Sequence, residues 1–137
     1  IARLLARLPG YLFASPNYLA TAGVPAHPSE LAGHECLGFA KGWPWTLHHN
    51  NEAVEVEVGK RFILNSVGMM RQLAVHNQGI VLLPFEVVAE EVTAGRLCPI
   101  LTEWQGTPVS VYALTETRLL PAKTQHFIEF LKEKLQK

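Results

Sequence analysis

Aspartate is absent from this sequence: all 12 acidic residues are glutamate, and 12 lysines and arginines balance them to a formal net charge of zero. An EF-hand calcium loop, an aspartic-protease dyad and a Ser-His-Asp triad all require aspartate, so these sites are excluded. The balanced charge argues against a DNA-binding surface in this chain, because contacts along the phosphates require clustered lysine and arginine. With 48% hydrophobic and 18% charged residues, the composition is that of a globular domain.

Cysteine is scarce, and the two present form no recognisable motif. Cys36 and Cys98 lie far apart, without a CxxC pair or a histidine at metal-ligand spacing, so we predict no metal site. Each has a leucine beside it, which favours a buried, reduced, structural thiol. A small hydrolase that uses one of them as a nucleophile remains an alternative, but no catalytic residue is predicted. Glycine-rich phosphate-binding loops are also missing, and we predict no cofactor.

Long apolar runs are missing too. The longest, such as residues 80–84, are too short to span a bilayer, and we expect no membrane association. Residues 1–7 lack the apolar core of a secretory signal, and the chain does not begin with methionine. We therefore expect a segment of a longer protein, and the 137 residues suit one domain rather than two.

Hydrophobic periodicity and helix-breaking residues predict an α/β fold in which strands and helices alternate. Strands are predicted at residues 11–14, 35–39, 45–49, 53–58, 61–64, 80–83 and 108–114. Helices are predicted at residues 17–22, from 28 with Ser29 as the N-cap, from 65 or 66 to 77, at 85–94 and from 121 onwards. The residues of the last helix that are expected to face inward are Phe127, Ile128, Leu131 and Leu135.

One junction between a strand and a helix is a candidate binding site. Strand 61–64 is followed by Asn65 and Ser66, and the helix that starts there has free N–H groups and a partial positive charge of about half an elementary unit. Such a helix start suits a carboxylate, and open α/β sheets bind ligands where strands end and helices begin. The same two residues could instead only cap the helix, which is worth about 1 kcal/mol. Ser15, between another strand and helix, presents a similar choice between a ligand contact and a turn.

Six runs of residues together resemble one family, the LysR-type bacterial transcriptional regulators. The matching runs are residues 13–20 (FASPNYLA), 28–37 (PSELAGHECL), 65–66 (NS), 70–75 (MRQLAV), 79–84 (GIVLLP) and 95–104 (GRLCPILTEW). They are similar to the family's ASPxYLA, PxDLAGHxCL, NS…LRQAA, GIALLP and SGRLVPVLPDW patterns, in the same order over nearly the whole chain. The sequence departs from the family at Glu30, where aspartate is usual, and at His76 and Gln78, where residues are small or apolar.

The resemblance implies a fold and an organisation. The fold would be α/β and periplasmic-binding-protein-like (type II), with a mixed sheet flanked by helices, as a fragment of a two-lobe domain. Residues 1–11 would end the first effector lobe, residues 12–107 would form the second lobe, and residues 108–137 would supply the returning strand and last helix of the first. The N-terminal helix-turn-helix that binds DNA in this family would lie outside this sequence.

The resemblance also implies a function, which is sensing rather than catalysis. The chain would bind a small-molecule effector in a cleft between the lobes and thereby control DNA binding. The resemblance does not give the class of effector; a carboxylate, which suits the helix start at Ser66, or an aromatic compound is expected. The full-length regulator is expected to be a cytoplasmic homo-oligomer. The expected effector-binding residues are Ser15, Asn65, Ser66, Val67, Val81 and Pro84. A secreted solute-binding protein of the same fold is the alternative.

Overall fold

The structure is a computed structural model that describes residues 2–39, 43–62, 64–114 and 122–135. Its strands are β1 (Ala2–Ala14), β2 (Trp45–His49), β3 (Glu52–Val56), β4 (Val81–Pro84), β5 (Cys98–Ile100) and β6 (Gln105–Leu114). Its α-helices are α1 (Pro16–Ala22), α2 (Val67–Val75), α3 (Phe85–Thr93) and α4 (Ala122–Leu135), and a 3₁₀ helix covers Pro28–Gly33. The predicted α/β class is confirmed.

The chain divides into two compact units, one made of Ile1–Leu8 and Pro108–Lys137 and the other of Pro9–Thr107. The strand order of the sheet is β3-β2-β6-β1-β4, and β5 pairs with β1 off this path. β1 is antiparallel to both β4 and β5. The predicted hairpin is present as β2 and β3, and its turn includes Asn50 at φ 53°, a left-handed conformation that asparagine tolerates.

Within the unit Pro9–Thr107, the sheet has a packed layer on each face. Consecutive residues of β1 enter opposite layers, because side chains alternate along a strand: Leu12 packs in one layer and Phe13 in the other. The layer that contains Phe13 also holds Met70 of α2 and Val88 of α3, both 2% exposed or less. The helices α2 and α3 therefore cover the same face of the sheet.

The cap of the 3₁₀ helix differs from the prediction, because His27 and not Ser29 is the N-cap. Pro28 occupies the first helical position, so the residue before it makes the cap. The His27 ring accepts a hydrogen bond from the Ser29 N–H (3.1 Å), and the Glu30 carboxylate accepts from the N–H groups of Ala26 and His27. These two backbone donors, Ala26 first, lower the pKa of Glu30.

Two predicted strands are not formed, and one was missed. In the segment 35–39 only Cys36 pairs, in an isolated parallel bridge to Ile80. In the segment 61–64 the described residues are not in a strand, and residue 63 lies outside the described part. The missed strand, β5, has only three residues and includes Pro99, so its sequence carries little strand signal.

The prediction that the last helix buries its apolar face is wrong for Phe127, whose side chain is 59% exposed, while Ile128, Leu131 and Leu135 are half-buried. No described residue of α4 is buried. The predicted first residue, Pro121, lies outside the described part. Among the described residues, no helix combines the length and the apolar character needed to cross a membrane.

Candidate functional site

The start of α2 is open and electropositive. Ser66 is the N-cap: its backbone is extended (φ −139°, ψ 128°) and its Oγ accepts a hydrogen bond from the Met69 N–H at 3.3 Å. The first backbone bond of the helix is donated by Met70, so the N–H groups of Val67 and Gly68 have no partner in the described part of the chain. The first turn contains no acidic residue, and Ser66 itself is exposed. This helix end can therefore accept an anion.

Arginine 71 adds a full positive charge next to this turn. Its Nη2 lies 4.0 Å from the position that a Cβ atom would occupy at Gly68. Its Nη1 donates to the Val87 carbonyl oxygen at 3.1 Å, and its Nε lies 3.6 Å from Glu91 Oε1, an ion-pair distance beyond hydrogen-bond length. Arg71 thus ties α2 to α3 while its remaining nitrogen stays near the start of α2.

The start of α3 lies near the start of α2. Pro84 ends β4 and is the N-cap of α3, without a side-chain hydrogen bond to the helix. Arg71 in the second turn of α2 donates to Val87 in the first turn of α3, so these two turns lie next to each other. The first turn of α3 contains Glu86, whose carboxylate offsets the positive end of that helix dipole.

Ser15 lies at the other end of α2. Its side chain is 2% exposed, accepts a hydrogen bond from the Tyr18 N–H (3.1 Å) and donates one to Asn77 Oδ1 (2.6 Å). Asn77 follows the last turn of α2, whose nine residues rise about 13 Å. Ser15 and Ser66 are therefore separated by the length of this helix.

The six predicted site residues fall into two groups. Asn65, Ser66, Val67 and Pro84 lie at the N-terminal ends of α2 and α3, although Pro84 is itself buried. Ser15 lies at the other end with Val81, which is 0% exposed and pairs with Phe13 in the sheet. The sequence did not single out Gly68 and Arg71, although an arginine in the second turn of a helix whose first turn has no acidic residue is a visible signal.

Polar groups at the Ser15 end are satisfied within the protein. The Tyr18 hydroxyl lies 2.9 Å from His34 Nδ1 and accepts from the Glu35 N–H at 3.2 Å. Burial raises the pKa of Tyr18, so its hydroxyl stays protonated and can donate to the His34 ring. These contacts hold α1 against the segment that follows the 3₁₀ helix, and they are structural.

The structure gives little support to a catalytic role for either cysteine thiol as a nucleophile. Cys36 is buried, its Sγ lies 3.6 Å from the Leu31 carbonyl oxygen, and burial raises its pKa to about 12. A thiol with such a pKa is almost entirely protonated at neutral pH, and the thiolate is the reactive form. Cys98 is a free, half-buried cysteine. Within the described residues, no three histidine, cysteine, aspartate or glutamate side chains come close enough together to hold a metal ion.

Comparison with known proteins gives a consistent result. The family model of the LysR substrate binding domain matches residues 1–136. The HTH-type transcriptional regulator PtxR of Pseudomonas aeruginosa is 32% identical over 126 residues, which cover 89% of this chain and 40% of PtxR.

Two solved structures also match. The full-length virulence activator AphB of Vibrio cholerae has a TM-score of 0.81 at 28% identity, over 98% of this chain and 48% of that one. CrgA of Neisseria meningitidis, a LysR-type transcriptional regulator, has a TM-score of 0.78 at 29% identity, over 100% of this chain and 48% of that one. The chain thus spans less than half the length of these regulators.

Proposed function

Because the chain belongs to the LysR substrate-binding domain family, we propose that it senses a small-molecule effector for a bacterial transcriptional regulator. Support comes from the family match along nearly the whole chain and from relatives that are HTH-type regulators. The single observation that carries the choice of site is the open start of α2, with two unpartnered N–H groups beside a cation.

The bound group is a carboxylate at the start of α2. In this proposal its oxygens accept hydrogen bonds from the N–H groups of Val67 and Gly68, and Asn65 and Ser66 border it. Arg71 adds to the attraction, and Pro84 stands at the start of the neighbouring helix α3. Ser15 and Val81 act behind the site, since they fix the other end of α2 and the strand that follows it.

We assign residues 12–107 to the second effector lobe, and residues 1–11 and 108–137 to the first lobe. The division of the chain near Pro9 and Thr107 supports this assignment. In the complete regulator, an effector that binds one arrangement of the lobes more tightly favours that arrangement and changes the affinity for DNA. A coupling of about 1–3 kcal/mol is the usual size of such an effect.

The rest of the regulator follows from the same proposal. DNA is bound by an N-terminal helix-turn-helix outside this sequence, the regulator is a homo-oligomer, and it works in the bacterial cytoplasm. The chain has no catalytic role. A secreted solute-binding protein is disfavoured, because the relatives are named as HTH-type transcriptional regulators.

A matched pair of substitutions tests the site. Asparagine and aspartate both cap helices well, so Ser66→Asn and Ser66→Asp should leave the free energy of unfolding within about 0.5 kcal/mol of each other. Aspartate places a negative charge where the carboxylate binds. For each carboxylate found in a thermal-shift screen of the complete regulatory domain, calorimetry should give S66D an affinity about tenfold or more below that of S66N. Equal affinities of the two variants for every such compound would overturn the proposed site.

A further inference from the structure

A separate cavity of about 440 Å³ lies in the unit Pro9–Thr107, between β1, α3 and β5. It falls within the range of about 300–1,000 Å³ that is typical of small-molecule sites. None of the six residues predicted from the sequence lines it. The residues that matter for its chemistry are Tyr11, Phe85, Glu86, Val92, Pro99 and Thr102.

The cavity and the start of α2 lie on different sides of α3. Phe85 and Val92 line the cavity, and their spacing of seven residues places them on one face of the helix. Glu91, whose carboxylate pairs with Arg71, is one residue from Val92 and points about 100° away from it around the helix. A ligand in the cavity therefore does not occupy the proposed effector site.

The lining is mostly apolar with three polar groups. Tyr11, Phe13 and Pro99 form the wall from the two paired strands, on the sheet face that α3 covers, whereas the Ile100 side chain packs in the opposite layer. The side chains of Tyr11, Glu86 and Thr102 make no hydrogen bond to other described residues. Polar side chains without partners at an apolar cavity are the usual means of orienting a bound ligand. Among the described residues that line the cavity there is no lysine, arginine or histidine, and Glu86 is the one charged residue.

We propose that this cavity is a second ligand site, for a small aromatic compound that carries a hydroxyl or amino group and no carboxylate. The ring packs against Pro99 and the exposed side chain of Phe85, and the hydroxyl or amino group donates to the Glu86 carboxylate. A carboxylate ligand is excluded because it would lie against Glu86 without a cation to pair with it. The site thus selects a hydrogen-bond donor without negative charge, whereas the start of α2 selects an anion.

Methyl and amide NMR titrations with 4-methylphenol and 4-methylbenzoate test the proposal on the full chain. With 4-methylphenol, we expect saturable shifts at Tyr11, Phe85 and Val92, and an affinity about tenfold or more above that for 4-methylbenzoate. Glu86→Gln should reduce this preference, whereas Glu90→Gln, on an exposed side chain of the same helix, should not. Shifts confined to other residues, equal affinities for the two probes, or an unchanged preference in E86Q would each overturn it.

A second pair of variants tests the location independently of charge. Thr102→Trp fills the mouth of the cavity and should weaken 4-methylphenol binding about tenfold or more, while Thr93→Trp, exposed at the end of α3, should change it by less than about twofold. The amide spectrum of each variant shows whether it is folded. Equal effects of T102W and T93W would contradict the site. Ser66→Asp should leave phenol binding unchanged, so failure here is distinguishable from failure of the effector site.

Discussion

At the scale of single residues, Ser15 and Ser66 have different roles because different groups surround their side chains. Ser15 and Ser66 both precede a helix and both cap it, and the sequence analysis predicted a cap only at Asn65 or Ser66. Ser15 also donates to Asn77, 62 positions away, and is buried, whereas Ser66 is exposed. A sequence shows which residues can cap a helix, but it does not show which distant side chain will meet the cap. For this reason the two alternatives at Ser15 and Ser66 could not be separated from the sequence.

Ser15→Ala should destabilise the protein more than Ser66→Ala. The first change removes a cap and a part-buried hydrogen bond to Asn77, so we expect a cost of about 2 kcal/mol. The second removes only an exposed cap, at a cost of about 1 kcal/mol. Urea denaturation of the two variants measures both values. Equal losses, or a larger loss for S66A, would show that the Ser15–Asn77 contact contributes nothing.

The burial of the Cys36 thiol should make it slow to react with disulfide reagents, and it should make the free energy of unfolding depend on pH. Its pKa in the folded protein, about 12, lies above the ordinary value of 9.0, so the folded protein holds this proton more tightly than the unfolded chain. The resulting stability is fully present below pH 9 and is lost as the pH rises from about 9 toward 12. At pH 8 a disulfide reagent should modify Cys98 first and reach Cys36 only after unfolding.

The matched control for this prediction is Cys36→Ala. Between pH 8.5 and about 10.5, the free energy of unfolding should fall more steeply in the wild type than in C36A, because only the wild type can lose this proton on unfolding. Parallel curves for the two proteins, together with fast labelling of Cys36 in the folded state, would disprove a buried and protonated thiol.

At the scale of elements, the sequence predicted helices better than strands. The ends of α1, α2 and α3 agree with the predictions to within about two residues, because N-caps, prolines and glycines act locally. The strands predicted at residues 35–39 and 61–64 depend on pairing with distant segments, and that pairing extends only to the bridge between Cys36 and Ile80. The three-residue β5 was missed for the same reason: its pairing with β1, not its composition, makes it a strand.

Gly79, which joins α2 to β4, should be intolerant of any side chain. A Cβ at this position would lie 2.5 Å from the Glu35 carbonyl oxygen and 3.1 Å from the Leu37 side chain. The backbone of Glu35 cannot move without disturbing the hydrogen bond that it accepts from Ile80 (2.8 Å). Gly79→Ala should therefore cost about 2 kcal/mol or more. Gly33→Ala is the control, since no atom lies within 4 Å of its Cβ position; a similar Tm for both variants would contradict this packing.

At the scale of the whole molecule, the family resemblance predicted more than physical patterns alone. Hydrophobic periodicity predicted the α/β class, whereas the motifs predicted the family and its role in regulation. The comparisons with known proteins support the predictions made from the motifs. In the unit made of Ile1–Leu8 and Pro108–Lys137, the amphipathic spacing of the last helix predicted more burial than the structure shows. Spacing identifies an apolar face, but it does not show whether another element packs against that face. Large apolar side chains that are half exposed or more in that unit are Val109, Tyr112, Leu114, Phe127 and Phe130.

The most direct measurement is amide NMR of the complete regulatory domain during titration with a carboxylate that binds it. A carboxylate held by the start of α2 should move the amide protons of Val67 and Gly68 downfield, because each gains a charge-assisted hydrogen bond. Both shifts should saturate at the dissociation constant measured by calorimetry. If the compound saturates the domain while these two amides keep their free positions, the effector does not bind at this helix start.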